Sequence, residues 1–145
     1  MKLIDILEEA WSWTGIEPDQ VVGDNDFGNL MVKDKSGRYW RLCPEDLSCS
    51  VVAANREELD ALLQDQEFLC DWHMSNLVEQ AKERLGPLRP GYKYCFKIPG
   101  ALGGEYGGDN LATVPLGELV LFSGDIARQI QDIPEGSPVD LQFVD

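Results

Sequence analysis

Glycines occupy positions 100, 103, 104, 107 and 108, five within nine residues, in the segment I-P-G-A-L-G-G-E-Y-G-G-D-N from Ile98 to Asn110. Glycine enters positive-φ conformations without steric cost and weakens helix and strand interiors, so such a segment specifies a looped backbone path. It also leaves few side chains for chemistry. A phosphate-binding P-loop places Lys and Ser/Thr after its last glycine, and a dinucleotide loop reads G-x-G-x-x-G at the opening of a helix. Neither is present. No Lys or Arg lies between Ile98 and Arg128, and the charged residues of the loop are Glu105 and Asp109, which would repel an anion. The segment reads as a structural or partner-contacting loop.

Around it the chain alternates between helical and strand periodicities. Leu3, Ile6, Leu7, Ala10 and Trp11 lie on one face of an amphipathic helix that Gly15 and Pro18 terminate. Leu30–Val32 and Tyr39–Leu42 flank the polar Lys33–Gly37 and predict a hairpin, with Ser50–Ala53 as a third strand. Asn55 is placed to cap a helix carrying Leu59, Leu62 and Leu63, with Glu58 at the reciprocal position. A longer helix is predicted over Glu67–Leu85, ended by Gly86-Pro87. Tyr92, Tyr94, Phe96 and Ile98 alternate with Lys93, Cys95 and Lys97, the clearest strand pattern. Leu116–Ile130 reads as helix, with Gly124 a possible break, and Val139–Phe143 as a terminal strand. Blocks of strands separated by helices, without strict βαβ alternation, give an α+β fold with a mainly antiparallel sheet. A chain of 145 residues is the size of one domain, so residues 1–145 are expected to form a single unit. Pro87–Gly91 is read as a turn within it.

Composition narrows the function. Twelve basic against 26 acidic residues give a net charge of −14. Such a surface repels nucleic acid and anionic membranes and attracts a basic partner, although acidity also serves solubility. The start Met1-Lys2-Leu3-Ile4-Asp5 does not resemble a secretory signal, and no apolar run approaches the roughly 20 residues of a membrane span. Cys43, Cys49, Cys70 and Cys95 form no C-x-x-C pair and are expected to be reduced, buried small hydrophobes in a cytoplasmic protein.

Catalytic and metal constellations are sparse. His73 is the sole histidine; with Cys70 it supplies two of the four ligands a zinc site needs, and nothing marks a nucleophile near it. Asp24 and Asp26 superficially suggest a calcium loop, but the twelfth position from Asp24 is Lys35 rather than Glu. The expectation is no metal, no cofactor and no enzymatic activity. Trp11 and Trp13 stand about 200° apart on one helix and cannot share a face. Tyr106, between two glycine pairs, either presents its ring to a partner or folds back to anchor the loop. Aromatic groups beside carboxylates are typical of protein-binding hot spots, which nominates Glu105, Tyr106 and Asp109, with Asp24 and Asp26 as a second acidic patch.

The glycine loop, the following V-P-L-G-E-L and F-S-G-D-I-A-R-Q-I, and the closing P-E-G-S-P-V together resemble the C-terminal domain of bacterial type VI secretion immunity proteins that neutralise DNase-type effectors. Many members carry a GAD-like domain ahead of this module. The resemblance is strongest over 92–145 and visible again in N-L-M-V-K-D-K-S-G-R-Y-W-R-L-C, Asn29–Cys43. It implies a non-catalytic binder that occludes a cognate toxin with a basic surface, the toxin being a nuclease or other nucleic-acid-modifying protein. The alternative is a small-ligand-binding or enzymatic domain using residues 100–108 as a lid.

Overall fold

The structure, a computed structural model, describes residues 2–131. Its elements run α1 (Leu3–Trp11), β1 (Pro18–Asp24), β2 (Leu30–Asp34), β3 (Tyr39–Cys43), β4 (Ser48–Ala53), α2 (Arg56–Leu62), α3 (Gln66–His73), α4 (Ser75–Leu85), β5 (Tyr92–Phe96), β6 (Leu111–Pro115) and α5 (Leu116–Ile130). The first four strands form an antiparallel sheet in the order β1-β2-β3-β4, and β5 pairs with β6 in a separate antiparallel ribbon. The fold is α+β, as expected.

The four-stranded sheet is covered on both faces. Leu30 and Val32 of β2, with Trp40 and Leu42 of β3, join Leu7 and Trp11 of α1 and Val120 and Ala127 of α5 in one apolar cluster. The intervening Met31 and Tyr39 point the other way and meet Ala53, Leu59, Phe68 and Trp72. Strand alternation therefore feeds two cores at once, which is why β2 is buried at all but Lys33. The α1–α5 contact is close: a Cβ added at Gly124 would lie 2.5 Å from the Ala10 carbonyl oxygen. Gly124 thus serves helix packing, and α5 runs through it unbroken. The Trp11 indole N–H donates to the Val120 carbonyl at 3.1 Å, satisfying its polar atom inside the core.

Several expectations shift. The helix expected over Glu67–Leu85 is two helices, because Met74 adopts a left-handed conformation (φ 50°) between α3 and α4. Trp13 lies in a 3-10 turn after α1, which rotates it back to stack on Trp11 at 5.8 Å. Strand β5 stops at Phe96, two residues short of Ile98, where the glycine loop takes over. Of the four cysteines expected to be buried, Cys43, Cys49 and Cys95 are half-buried and Cys70 is exposed, as is His73. Strands β1 and β6 had not been anticipated. The former carries two register shifts and a largely exposed edge, and the latter is a five-residue strand whose last residue is Pro115. At Asn55 the cap forms as expected, its side chain accepting from the Glu58 N–H at 2.9 Å, while Glu58 reaches the Ala54 N–H at 2.7 Å. The terminal strand expected at Val139–Phe143 lies outside the described residues.

Candidate functional site

The glycine loop leaves the end of β5 and returns through β6, and single polar side chains hold its shape. Gly103, Gly107 and Gly108 adopt positive φ (89°, 131° and 56°), and a Cβ at Gly104 would fall 1.8 Å from the Ile98 carbonyl oxygen. Asn110 is buried and staples the loop across its neck. Its carbonyl accepts from the Ile98 N–H at 2.8 Å, and its amide donates to the carbonyls of Ile98 (2.9 Å) and Glu105 (2.7 Å). From α4, Gln80 accepts from the Gly108 N–H at 2.7 Å and Arg84 pairs with Asp109 at 2.9 Å. The Tyr106 ring packs edge-on against Phe96 at 4.8 Å, and its hydroxyl donates to the Asp46 carboxylate. Burial, reinforced by that carboxylate, pushes the Tyr106 phenol pKa up, so the hydroxyl keeps its proton to donate.

Tyr106 therefore anchors the loop while leaving about half of its surface, 51%, exposed. Glu105 and Asp109 share its loop and are exposed. Asp24 and Asp26 are placed elsewhere. Asp24 pairs with Lys93 at 2.8 Å near the start of β5, where the Asp26 carbonyl accepts from the Tyr94 N–H. Lys93 and Phe96 are about 10 Å apart along a strand, so the two acidic groups flank opposite ends of β5. Asp24 and Asp109 each have a basic partner, which lowers their share of the local negative field.

A second set of residues, missed by sequence reasoning, lies beneath the loop. Strand β3 ends in a 3-10 turn, Pro44–Asp46, that carries the buried Glu45. Asn29, with no exposed surface, donates its amide to both Glu45 carboxylate oxygens (3.1 and 2.8 Å). Its carbonyl accepts from Arg41 Nε and Nη2 (3.2 and 2.9 Å) and from the Cys43 thiol at 3.1 Å. Arg41 is further held over the Trp72 and Phe68 rings (5.1 and 5.8 Å) and reaches Asp71 at 2.6 Å. Burial raises the Glu45 pKa to about 7, only partly opposed by its backbone and Asn29 hydrogen bonds. Desolvation likewise pushes the Cys43 thiol up to about 12. Cys43, Glu45 and Asp46 bring potential metal-ligating atoms within 4.8 Å of one another. In this structure the Cys43 thiol donates to Asn29, Glu45 accepts from Asn29 and Asp46 accepts from Tyr106, so each of the three is engaged in a hydrogen bond. The cluster is suited to hydrogen bonding. Its sequence signal was faint: an acidic pair after a proline at a strand end, with its partner Asn29 sixteen residues away.

Glu45 also lies between two concavities. One is a groove of about 710 Å³ whose apolar walls include Phe27, Phe96, Pro99, Leu102, Leu119 and Ile126. The other, of about 360 Å³, is more polar and is bounded by Arg41, Asp71, Met74 and Tyr106. The glycine loop contributes to both, through Pro99 and Leu102 on one side and Tyr106 on the other.

An antiparallel sheet thus lies between helices, with a stapled glycine loop beside a buried acidic turn. The family described as T6SS immunity protein Tdi1, C-terminal, matches residues 53–127, just over half of the chain, and the chain belongs to that family of type VI secretion immunity proteins. The matched segment runs from the end of β4 into α5 and contains the whole glycine loop. Among solved structures, the chain is similar to "Crystal structure of Atu4351 from Agrobacterium tumefaciens", with a TM-score of 0.55 and 13% identity. The likeness covers 84% of this chain and 62% of that one, and at this identity it speaks to the fold alone. No curated protein matches the chain. Among the described residues no helix is long and apolar enough to cross a membrane.

Proposed function

We propose that this chain neutralises a cognate secreted antibacterial toxin by binding and occluding it, without catalysis, in the cytoplasm of the producing cell. Membership of the type VI immunity family carries this reading. The net charge of −14 adds to it, because a toxin that acts on nucleic acid presents a basic surface to its substrate. Glu105, Tyr106 and Asp109 are the proposed contact loop, with Asp24 and Asp26 as a separate steering patch. Asn110, Gln80 and Asp46 hold the loop at three points. That restraint favours a pre-shaped contact surface over the alternative, a lid that lifts from a small ligand.

The test pairs survival on co-expression with the genetically linked toxin and binding kinetics at low and high salt. Association is expected to slow at high salt while dissociation changes less, because long-range attraction accelerates encounter by about 10- to 1000-fold. Tyr106→Ala should weaken binding by about 2 kcal/mol or more, and a Glu105/Asp109 double alanine should mainly slow association. Unchanged affinity in folded versions of both variants would move the contact surface elsewhere. A wild-type chain that protects against no linked toxin would remove the immunity reading.

A further inference from the structure

The feature left unexplained by the loop contacts is Glu45. Its residue is 7% exposed, and its carboxylate accepts from its own backbone N–H and from the Asn29 amide, which spans both oxygens. No described Lys or Arg forms an ion pair with it; Arg41, the nearest candidate in its network, is turned to Asn29 and Asp71. A carboxylate has about four acceptor sites and binds a guanidinium through two parallel hydrogen bonds. One side-chain amide and one backbone N–H leave part of that capacity unused. Burying a carboxylate without a direct ion-pair partner is unfavourable, and this one lines the wall of a large apolar groove.

From this geometry we infer that the groove between α5, β5 and the glycine loop receives a basic side chain of the partner, its aliphatic stem against Phe96, Leu119 and Ile126 and its cationic head on Glu45. The inference rests on the immunity reading and names the feature of the toxin that this chain recognises. Arginine and lysine suit such a site because their methylene stems lie along apolar walls while the head carries the charge. The net charge of −14 and the acid buried in the groove wall favour a cationic occupant, Lys97 being the one basic residue of the same lining and exposed to solvent. Seated there, the cation would supply the counter-charge that Glu45 lacks, and the groove would exclude water from the pair. Ile98, 54% exposed, forms part of the same lining and can be altered with little risk to folding.

The experiment follows backbone amide NMR signals of the full chain titrated with n-butylguanidinium, with neutral n-pentanol as the matched apolar probe. In the wild type the guanidinium probe should shift Glu45, Asn29 and Phe96 and bind more tightly than pentanol. Glu45→Gln should lower guanidinium affinity by about tenfold and leave pentanol unchanged, whereas Ile98→Ser should weaken both. Against the linked toxin, Glu45→Gln should weaken binding by about 30-fold or more, the loss expected when one partner of a buried charge pair is removed. Equal affinity of the two probes, or indifference of guanidinium binding to Glu45→Gln, would overturn the inference. Should Glu45→Gln fail to fold, Ile98→Ser with the same two probes decides, and undiminished guanidinium binding there would overturn it. Toxin binding that leaves the groove signals unmoved would overturn it while the immunity reading stands. Absence of any toxin binding by the wild type would instead remove the immunity reading, with the probe titration still reporting on the groove.

Discussion

The α1–sheet–α5 core and the β5–β6 ribbon with its glycine loop are built on different principles. In the first, Leu7, Trp11, Leu30, Val32, Leu42 and Val120 have no exposed surface and come from four elements, so many contacts share the stabilisation. Each side chain there is one contributor among many. The second has a small aromatic nucleus of Phe27, Tyr94 and Phe96, beyond which the loop depends on Asn110, Gln80 and the Tyr106–Asp46 contact. Redundant burial makes a scaffold. A segment held by a few polar staples keeps one shape, yet can change in detail without disturbing the sheet behind it, which suits a surface that must match one partner.

The strongest challenge to this contrast is Trp11→Ala. The indole fills the centre of the larger core and also satisfies the Val120 carbonyl. Its removal should cost about 4 kcal/mol of global stability, read from urea unfolding, with sheet and loop lost together. A loss below about 1 kcal/mol would mean that the core is less tightly shared than the burial implies.

Glu45, where the two regions meet, gives a pH-dependent test. Its folded pKa of about 7 is raised, by burial above all, over an unfolded value of about 4.3. A raised pKa means that the fold favours the protonated form. Its contribution to stability is therefore full below about pH 4 and lost as the pH rises through about 7. Glu45→Gln, which cannot ionise, should lack this component. The stability of the wild type relative to the variant should fall by on the order of 3 kcal/mol between about pH 4 and 8. A difference that stays flat over that range would show that water reaches the carboxylate and that the boundary between the regions is loose.

The same contrast explains how much could be read from the sequence. Periodicity located α1, β2, β3, α2, β5 and α5, because those elements bury repeating apolar faces and the repeat is written in the chain. It missed the break at Met74, where a non-glycine residue takes a left-handed conformation that tertiary contacts support. It also missed β1, whose mixed edge has little pattern, and β6, masked by the proline that ends it. At the site, the prominence of the glycine loop was legible as local composition, whereas Tyr106 could be read either way until its packing on Phe96 and bond to Asp46 were seen. The Asn29–Glu45–Arg41 network was not, since it exists only after β2 and β3 pair and the turn at Pro44 folds under the loop. Asp24 and Asp109 looked like bare acids, and their partners Lys93 and Arg84 lie 69 and 25 residues away.

The smallest expected effect is the most discriminating. Asn110→Ala removes one buried side chain whose three hydrogen bonds all go to loop backbone: the Ile98 N–H, the Ile98 carbonyl and the Glu105 carbonyl. Part of the loss is recovered, because once the neck opens water can reach those groups, so the net cost should be about 2 kcal/mol. The location of the change matters more than its size. If the loop is a separately stapled unit, amide exchange should accelerate at Ile98 and through the glycine segment while Leu30, Val32 and Leu42 keep their protection. Gly108 should respond less, since Gln80 still accepts its N–H from α4. Toxin affinity should fall even though Asn110 is buried, because the side chains it positions, Glu105 and Tyr106, lose their fixed backbone. Exchange that accelerates equally in sheet and loop would show one cooperative structure in place of a scaffold carrying a stapled edge, and the division drawn between the two regions would have to be abandoned.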